Sequence, residues 1–202
     1  TGVGTARWYI AGTEYGSGKG IFAYGQTGAS TSVSMSNLVA NNGVVAADVS
    51  GVGTARQRLA GCRYGGHDTS IFGFGTTGSY TAVTNKVSST GVCAADVAGV
   101  GTARQNIAAC EYGGDKGIFG FGYDGNVVGM TNLVSSSGVV ASDVAKVGTA
   151  IYGRAAVEYG GDKGMFAYGH DHVGSGYINT INLVSTSGVV ASDSSGTGSG
   201  RV

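Results

Sequence analysis

Apolar and polar residues alternate in short runs along this chain, and each run stops at Gly, Ser, Asn or Asp. Between Asn106 and Asp143 there are four such runs. Asn106–Tyr112 is followed by the turn Gly113–Asp115, and Gly117–Phe121 by Gly122–Gly125. Val127–Ser135 is rich in Val, Thr and Met, and after Ser136–Gly138 the last run covers Val139–Asp143. Short runs divided by turn formers predict strands joined by hairpins. No window carries an apolar stripe at helical spacing, and Gly every few residues penalises helix.

The pattern recurs along the whole chain. Gly-Val-Gly-Thr-Ala-Arg stands at 2–7, 51–56 and 99–104, and Val147-Gly-Thr-Ala150 opens a fourth copy. Aligned residues are Tyr15, Tyr64, Tyr112 and Tyr159; Asn37, Asn85, Asn132 and Asn182; and Asp48, Asp96, Asp143 and Asp193. The chain therefore reads as one domain of four units, about 2–50, 51–98, 99–146 and 147–197, with a period of roughly 48 residues.

Within the second strand of each unit, period-two alternation places Phe22/Tyr24, Phe72/Phe74, Phe119/Phe121 and Phe166/Tyr168 on one face. Between them lie Ala23, Gly73, Gly120 and Ala167, so rings of one sheet can pack on small residues of the next. The first strand is small as well, with Ala11-Gly12, Ala60-Gly61, Ala108-Ala109 and Ala155-Ala156, as crowded inner strands require. Four units of four antiparallel strands predict an all-β fold, a four-bladed β-propeller. An open stack would turn polar at its ends, yet Phe22 and Phe166 are as apolar as Phe72 and Phe119. The expectation is a monomer in which blade four packs on blade one. The phase-equivalent ends, with Thr197–Arg201 as a degraded fifth linker, are what closure requires, and they keep a protein of more blades or assembly between chains open as alternatives.

Ala103-Arg104, Ile107–Cys110 and Gly117–Gly125 follow the order of a kelch unit: Ala-Arg, a small-residue strand, then an apolar-aromatic strand ending in Gly and a Tyr/Asp/Gly turn. The repeat resembles the kelch family of β-propellers, which implies that fold and a binding surface. It departs from kelch where Phe121 splits the Gly doublet and where the fourth strand lacks Trp. It also looks like Gly-rich repeats of phage and environmental microbial proteins.

The balance of 12 basic and 12 acidic residues gives no footprint for nucleic acid or an anionic membrane. No apolar run approaches the ~20 residues of a spanning helix. Thr1–Gly4 lacks the charged and apolar regions of a signal peptide. Three cysteines, Cys62, Cys93 and Cys110, give no disulfide framework and fit a reducing cytoplasm or a virion. Cys62 and Cys110 share a repeat position with Thr13 and Val157, as small core residues do.

Candidate chemistry sits where copies diverge. The loops after the second strands differ most, and their Tyr80, Tyr123, Asp124, His170, Asp171 and His172 are the candidate ligand-binding residues, aromatic rings stacking on sugars. His170 and His172 around Asp171 could ligate a cation, which sets a metal-dependent hydrolase or lyase as the alternative to a non-enzymatic module for glycan or protein, of phage or surface assemblies. Glu14, Glu111 and Glu158, with Arg63 in the same position, should converge on a channel, as an ion-pair girdle or as a cation site. The linker Arg residues and the preceding Asp residues read as tethers from the fourth strand to the next blade, Ile151 leaving one Asp to a different partner such as Arg154. The Gly-rich linker lacks the Lys-Ser/Thr and the helix of a phosphate loop, and no cofactor is expected.

Overall fold

The computed structural model describes residues 3–28, 30–171 and 176–201. Its strands fall into four antiparallel sheets, one per repeat. Unit one holds β1 (Ala11–Tyr15), β2 (Lys19–Ala23) and β3 (Ser36–Val39), and unit two holds β4 (Ala60–Tyr64), β5 (Thr69–Gly73) and β6 (Thr84–Val87). Unit three holds β7 (Ala108–Tyr112), β8 (Lys116–Tyr123) and β9 (Val127–Val134). Unit four holds β10 (Ala155–Tyr159), β11 (Lys163–Ala167), β12 (Thr180–Val184) and a two-residue β13 (Ser194–Ser195). The register repeats from unit to unit, with Thr13 opposite Ile21, Cys62 opposite Ile71, Cys110 opposite Ile118 and Val157 opposite Met165.

The fourth strand expected in each unit is reduced to isolated bridges in units one to three, such as Val87 with Cys93 and Val134 with Val140, and to the two-residue β13 in unit four. The repeated Asn explains why. Each amide nitrogen donates to a carbonyl of the fourth segment, Asn132 to Ala141 at 3.0 Å, and to the repeated Asp at 2.9 Å. A side chain thus takes a place that ladder bonds would otherwise fill, and the segment bows away from the sheet.

That Asp ties the unit to its own start. Asp143 accepts from the Thr102 amide and hydroxyl at 2.9 and 2.7 Å, and Asp48, Asp96 and Asp193 bind Thr5, Thr54 and Thr149 likewise. The tether expected from Asp to the next blade is therefore a clasp within one unit. It is the Arg that reaches the neighbour: the guanidiniums of Arg56, Arg104 and Arg154 each lie 4.2 Å from the ring centre of Tyr24, Phe74 or Phe121 in the preceding unit. Where Ile151 displaces the linker Arg, Arg154 arrives in its place. Burial pulls Arg104 and Arg154 down to about 10, so both stay protonated at neutral pH.

The core lies between sheets. One cluster joins Ala60, Cys62, Tyr64, Ile71 and Phe74 of unit two to Ile107, Phe119, Val134 and Val140 of unit three, and units one–two and three–four repeat it. Each unit thus has a leading face, which meets the unit before it, and a trailing face, which meets the unit after.

The paired aromatics of the second strand do not share a face. Phe72 packs back on Tyr24 of unit one, whereas Phe74 packs forward on Phe119 of unit three. The cause is a kink at the strand end. Phe74 and Gly75 both take positive φ, 63° and 106°, as do Phe121 and Gly122 at 63° and 117°, where the β8–β9 register shifts. A bulge flips the parity of every residue beyond it. Left-handed backbone strains an aromatic residue, and full burial of Phe74 and Phe121 offsets that strain.

Ring-on-small packing is present as the sequence suggests: a Cβ on Gly73 would meet the tip of Phe119 at 2.9 Å, and one on Gly120 would meet Phe166 at 2.8 Å. Cys62 and Cys110 are buried, while Cys93, in the bowed segment, is half-buried.

Neighbouring units are also joined through backbone bonds, Gly16 to Asp68, Gly65 to Asp115 and Gly113 to Asp162 at 2.7–2.9 Å. A second series runs Arg58 to Tyr9, Asn106 to Arg58 and Gly153 to Asn106. Among the described residues neither series has a fourth member joining unit four to unit one. The closed ring expected from the sequence is not seen; three interfaces are made and two faces are left over.

Candidate functional site

Two groupings of side chains stand out on this frame. The first lies where the four first strands meet. Gly12, Gly61, Ala109 and Ala156 line a shallow opening that also takes in Glu14, Arg63, Glu111 and Glu158. The small residues alternate with the charged ones along each strand, so the missing side chains leave room for the charged ones to converge. Arg63 is the hub. Its Nη1 meets Glu14 at 2.6 Å, its Nε meets Glu111 at 2.6 Å and its Nη2 meets Glu158 at 2.7 Å. One guanidinium thus serves three carboxylates from three other units, and it fills the centre where a cation would otherwise sit.

The carboxylates are not equivalent. Glu111 is 3% exposed and Glu14 59% exposed. Burial pushes the Glu111 carboxyl up, and the Arg63 charge, with His67 Nδ1 at 3.8 Å, only partly offsets it. Three carboxylates against one guanidinium leave this end of the opening electronegative. It can accept hydrogen bonds from hydroxyl or ammonium donors.

The second grouping runs along the loop edge. After the positive-φ bulge that follows each second strand, the next residue pairs across to the linker: Gln26 with Trp8, Thr76 with Gln57, Tyr123 with Gln105 and His170 with Tyr152. Over units two to four these positions and their neighbours carry rings in contact. Tyr80 and Tyr123 lie 6.1 Å apart, Tyr123 and Tyr152 5.9 Å, Tyr152 and His170 5.4 Å, and His170 and Tyr177 5.2 Å between centres. The row crosses three sheets. Its ends are its most exposed rings, Tyr80 at 37% and Tyr177 at 59%.

Of the residues expected in the loops, Tyr80, Tyr123 and His170 fall in this row. Asp124 accepts from the Asn126 amide at 3.0 Å, and Asp171 from the Gly176 amide at 3.2 Å. His172 lies outside the described residues. Among the described residues no three of His, Cys, Asp and Glu are placed to hold a metal ion. Sequence reading missed Tyr152 and Tyr177. Tyr152 stands in a linker position held elsewhere by Trp8, Gln57 and Gln105, and only the cross-bridge to His170 reveals its neighbours. No protein-family model matches the chain, and no curated protein does either.

Proposed function

We propose that the units are blades of a β-propeller-like scaffold and that the chain is a non-enzymatic recognition module, binding an extended glycan along the ring-lined edge. The observation that carries this reading is the unbroken row from Tyr80 to Tyr177. Tyr rings offer apolar faces with polar tips, a surface suited to sugar rings, and rings packed on one another keep their rotamers at small entropic cost. The bulges place Tyr123 and His170, and backbone bridges hold Tyr80, Tyr152 and Tyr177 beside the same edge, so the row is preorganised. The electronegative opening around Arg63 is a secondary acceptor of hydroxyl donors.

A glycan array followed by calorimetric titration with the best oligosaccharide tests the reading. Tyr123→Ala removes the middle of the row and should weaken binding about tenfold, a loss of ~1.4 kcal/mol, with little change in melting temperature. Absence of any glycan ligand, or binding indifferent to Tyr123, sinks it. Stoichiometric metal with hydrolytic turnover would favour an enzyme acting through His170 and its neighbours.

A further inference from the structure

Among the described residues, two faces of the repeat have no neighbouring unit against them. The leading face of unit one presents Ile10 at 40% and Phe22 at 43% exposure, whereas Leu59 and Ile107, and likewise Phe72 and Phe119, are buried in the same places. The trailing face of unit four presents Val157 at 53% and Tyr159 at 36%, whereas Cys62 and Cys110, and Tyr64 and Tyr112, are buried. A groove lined by Ala155, Val157, Met165, Ala167 and Ile181 runs across this trailing face.

We propose that the chain associates head to tail with a second copy of itself, the leading face of unit one seated on the trailing face of unit four. This does not rest on the glycan reading. The argument is continuity with an interface the molecule already makes three times. Phe72 sits in one cluster with Ala23, and in the docked pair Phe22 of one copy takes the same place against Ala167 of the other. Tyr15 and Leu38 lie against Gly91, and Tyr112 and Leu133 against Gly188. Tyr159 and Leu183 therefore take Gly43, whose Cα now has open space beside it. In the docked pair the Gly160 amide of one copy donates to the Gly18 carbonyl of the next, the equivalent of the Gly16 to Asp68 bond. Both faces are uncharged at their centres, so docking buries no unpaired ion.

The linker position of the missing neighbour is already held. Gly169 donates to the Arg201 carbonyl at 2.8 Å, as Gly25 and Gly75 do to Arg56 and Arg104, and the Arg201 guanidinium lies 4.2 Å from the Tyr168 ring centre. Segment 197–201 thus stands in for the segment around Arg7 of an incoming copy. Docking exchanges one linker for its equivalent, and the apolar faces supply the net gain. The contact is heterologous, so it repeats until a ring closes or a filament grows.

Sedimentation across a wide concentration range tests the proposal. The native chain should shift from monomer to multiples of the monomer mass as concentration rises. Phe22→Asp and Val157→Lys, both at exposed positions, should each abolish the shift while leaving the folded monomer intact. Mixed together they should form a dimer and nothing larger, because each variant keeps the one face the other needs. Removing residues 197–202 should lower the concentration needed for association. A native chain that stays monomeric throughout overturns the proposal, as does association unaffected by both variants. A monomer that Phe22→Asp strongly destabilises overturns it too, by showing that the two faces meet within one chain.

Discussion

Phe119 and Phe22 hold the same place in the repeat and face the same way from the same strand, yet one is fully buried and the other 43% exposed. Their units differ little in sequence. What differs is the neighbour: Phe119 has Gly73 and Phe74 of unit two against it, and among the described residues no other unit packs on Phe22. Nothing inside a unit decides whether its faces are buried, because each repeat writes one half of an interface on each side and neither half on both. In such an array stability resides in the junctions, and the middle and the ends respond to the same substitution by different amounts.

The largest difference should appear at the rings. Phe119→Ala should cost about 3–5 kcal/mol in a denaturant titration, a large-to-small change in a core that cannot collapse easily. Phe22→Ala, measured at low protein concentration, should cost about 1 kcal/mol or less. Equal costs would break the comparison, since they would mean that Phe22 is covered in solution.

The linker Arg residues give a second, smaller contrast. Arg104 is wholly buried, donating to the Phe121 and Thr102 carbonyls at 2.8 and 3.0 Å and to Asn132 at 2.7 Å while lying over Phe74. Arg104→Ala strands those acceptors and should cost roughly 2–3 kcal/mol. Arg7 makes similar bonds to Tyr24 and Met35, but it has no ring of a preceding unit beneath it and is half-buried. Water can replace it, so Arg7→Ala should cost under about 1 kcal/mol by the same titration. A comparable loss at both positions would show that the stacking on the neighbouring ring contributes little.

Much of this arrangement was legible in the residues, and what was not shares one cause. The period, the strand-forming runs and the small residues beneath large rings follow from local alternation, which survives folding. The facing of Phe72 against Phe74 was misread because period-two counting assumes unbroken strand, and the left-handed Phe74–Gly75 step reverses it. The same step hid the ring row, since it carries Tyr123 and His170 out to meet Tyr152. The fourth strand was overcounted because the side chain of Asn132 and its equivalents replaces backbone pairing, which no alternation pattern records. The convergence of Glu14, Arg63, Glu111 and Glu158 was readable, because each lies one residue before the aligned Tyr or its equivalent and fourfold phase carries it inward. Closure was not readable. Apolar ends fit a ring, a longer array or a second chain alike.

The last contrast should vanish, and its absence is the sharpest check on where the junctions end. The four Asp clasps lie inside units, so they should not distinguish middle from end. Asp48 is held below its ordinary 3.8 by hydrogen bonds from Thr5 and Asn37. Burial alone would push Asp96, Asp143 and Asp193 up, but the bonds from their own Thr and Asn outweigh it and hold them low as well. A carboxylate lowered by folding contributes stability that is fully present above its unfolded value and is lost as pH falls through its folded value. Melting temperature should therefore hold level at mildly acidic pH and drop below about pH 4. Asp48→Asn and Asp143→Asn each remove one carboxylate from that titration, and they should flatten the acid limb by equal shares. A clearly larger effect of Asp143→Asn would mean that the clasp also braces the neighbouring unit, through the 3.8 Å approach of Asp143 to the Arg104 guanidinium, and the division between unit and junction would have to be drawn elsewhere.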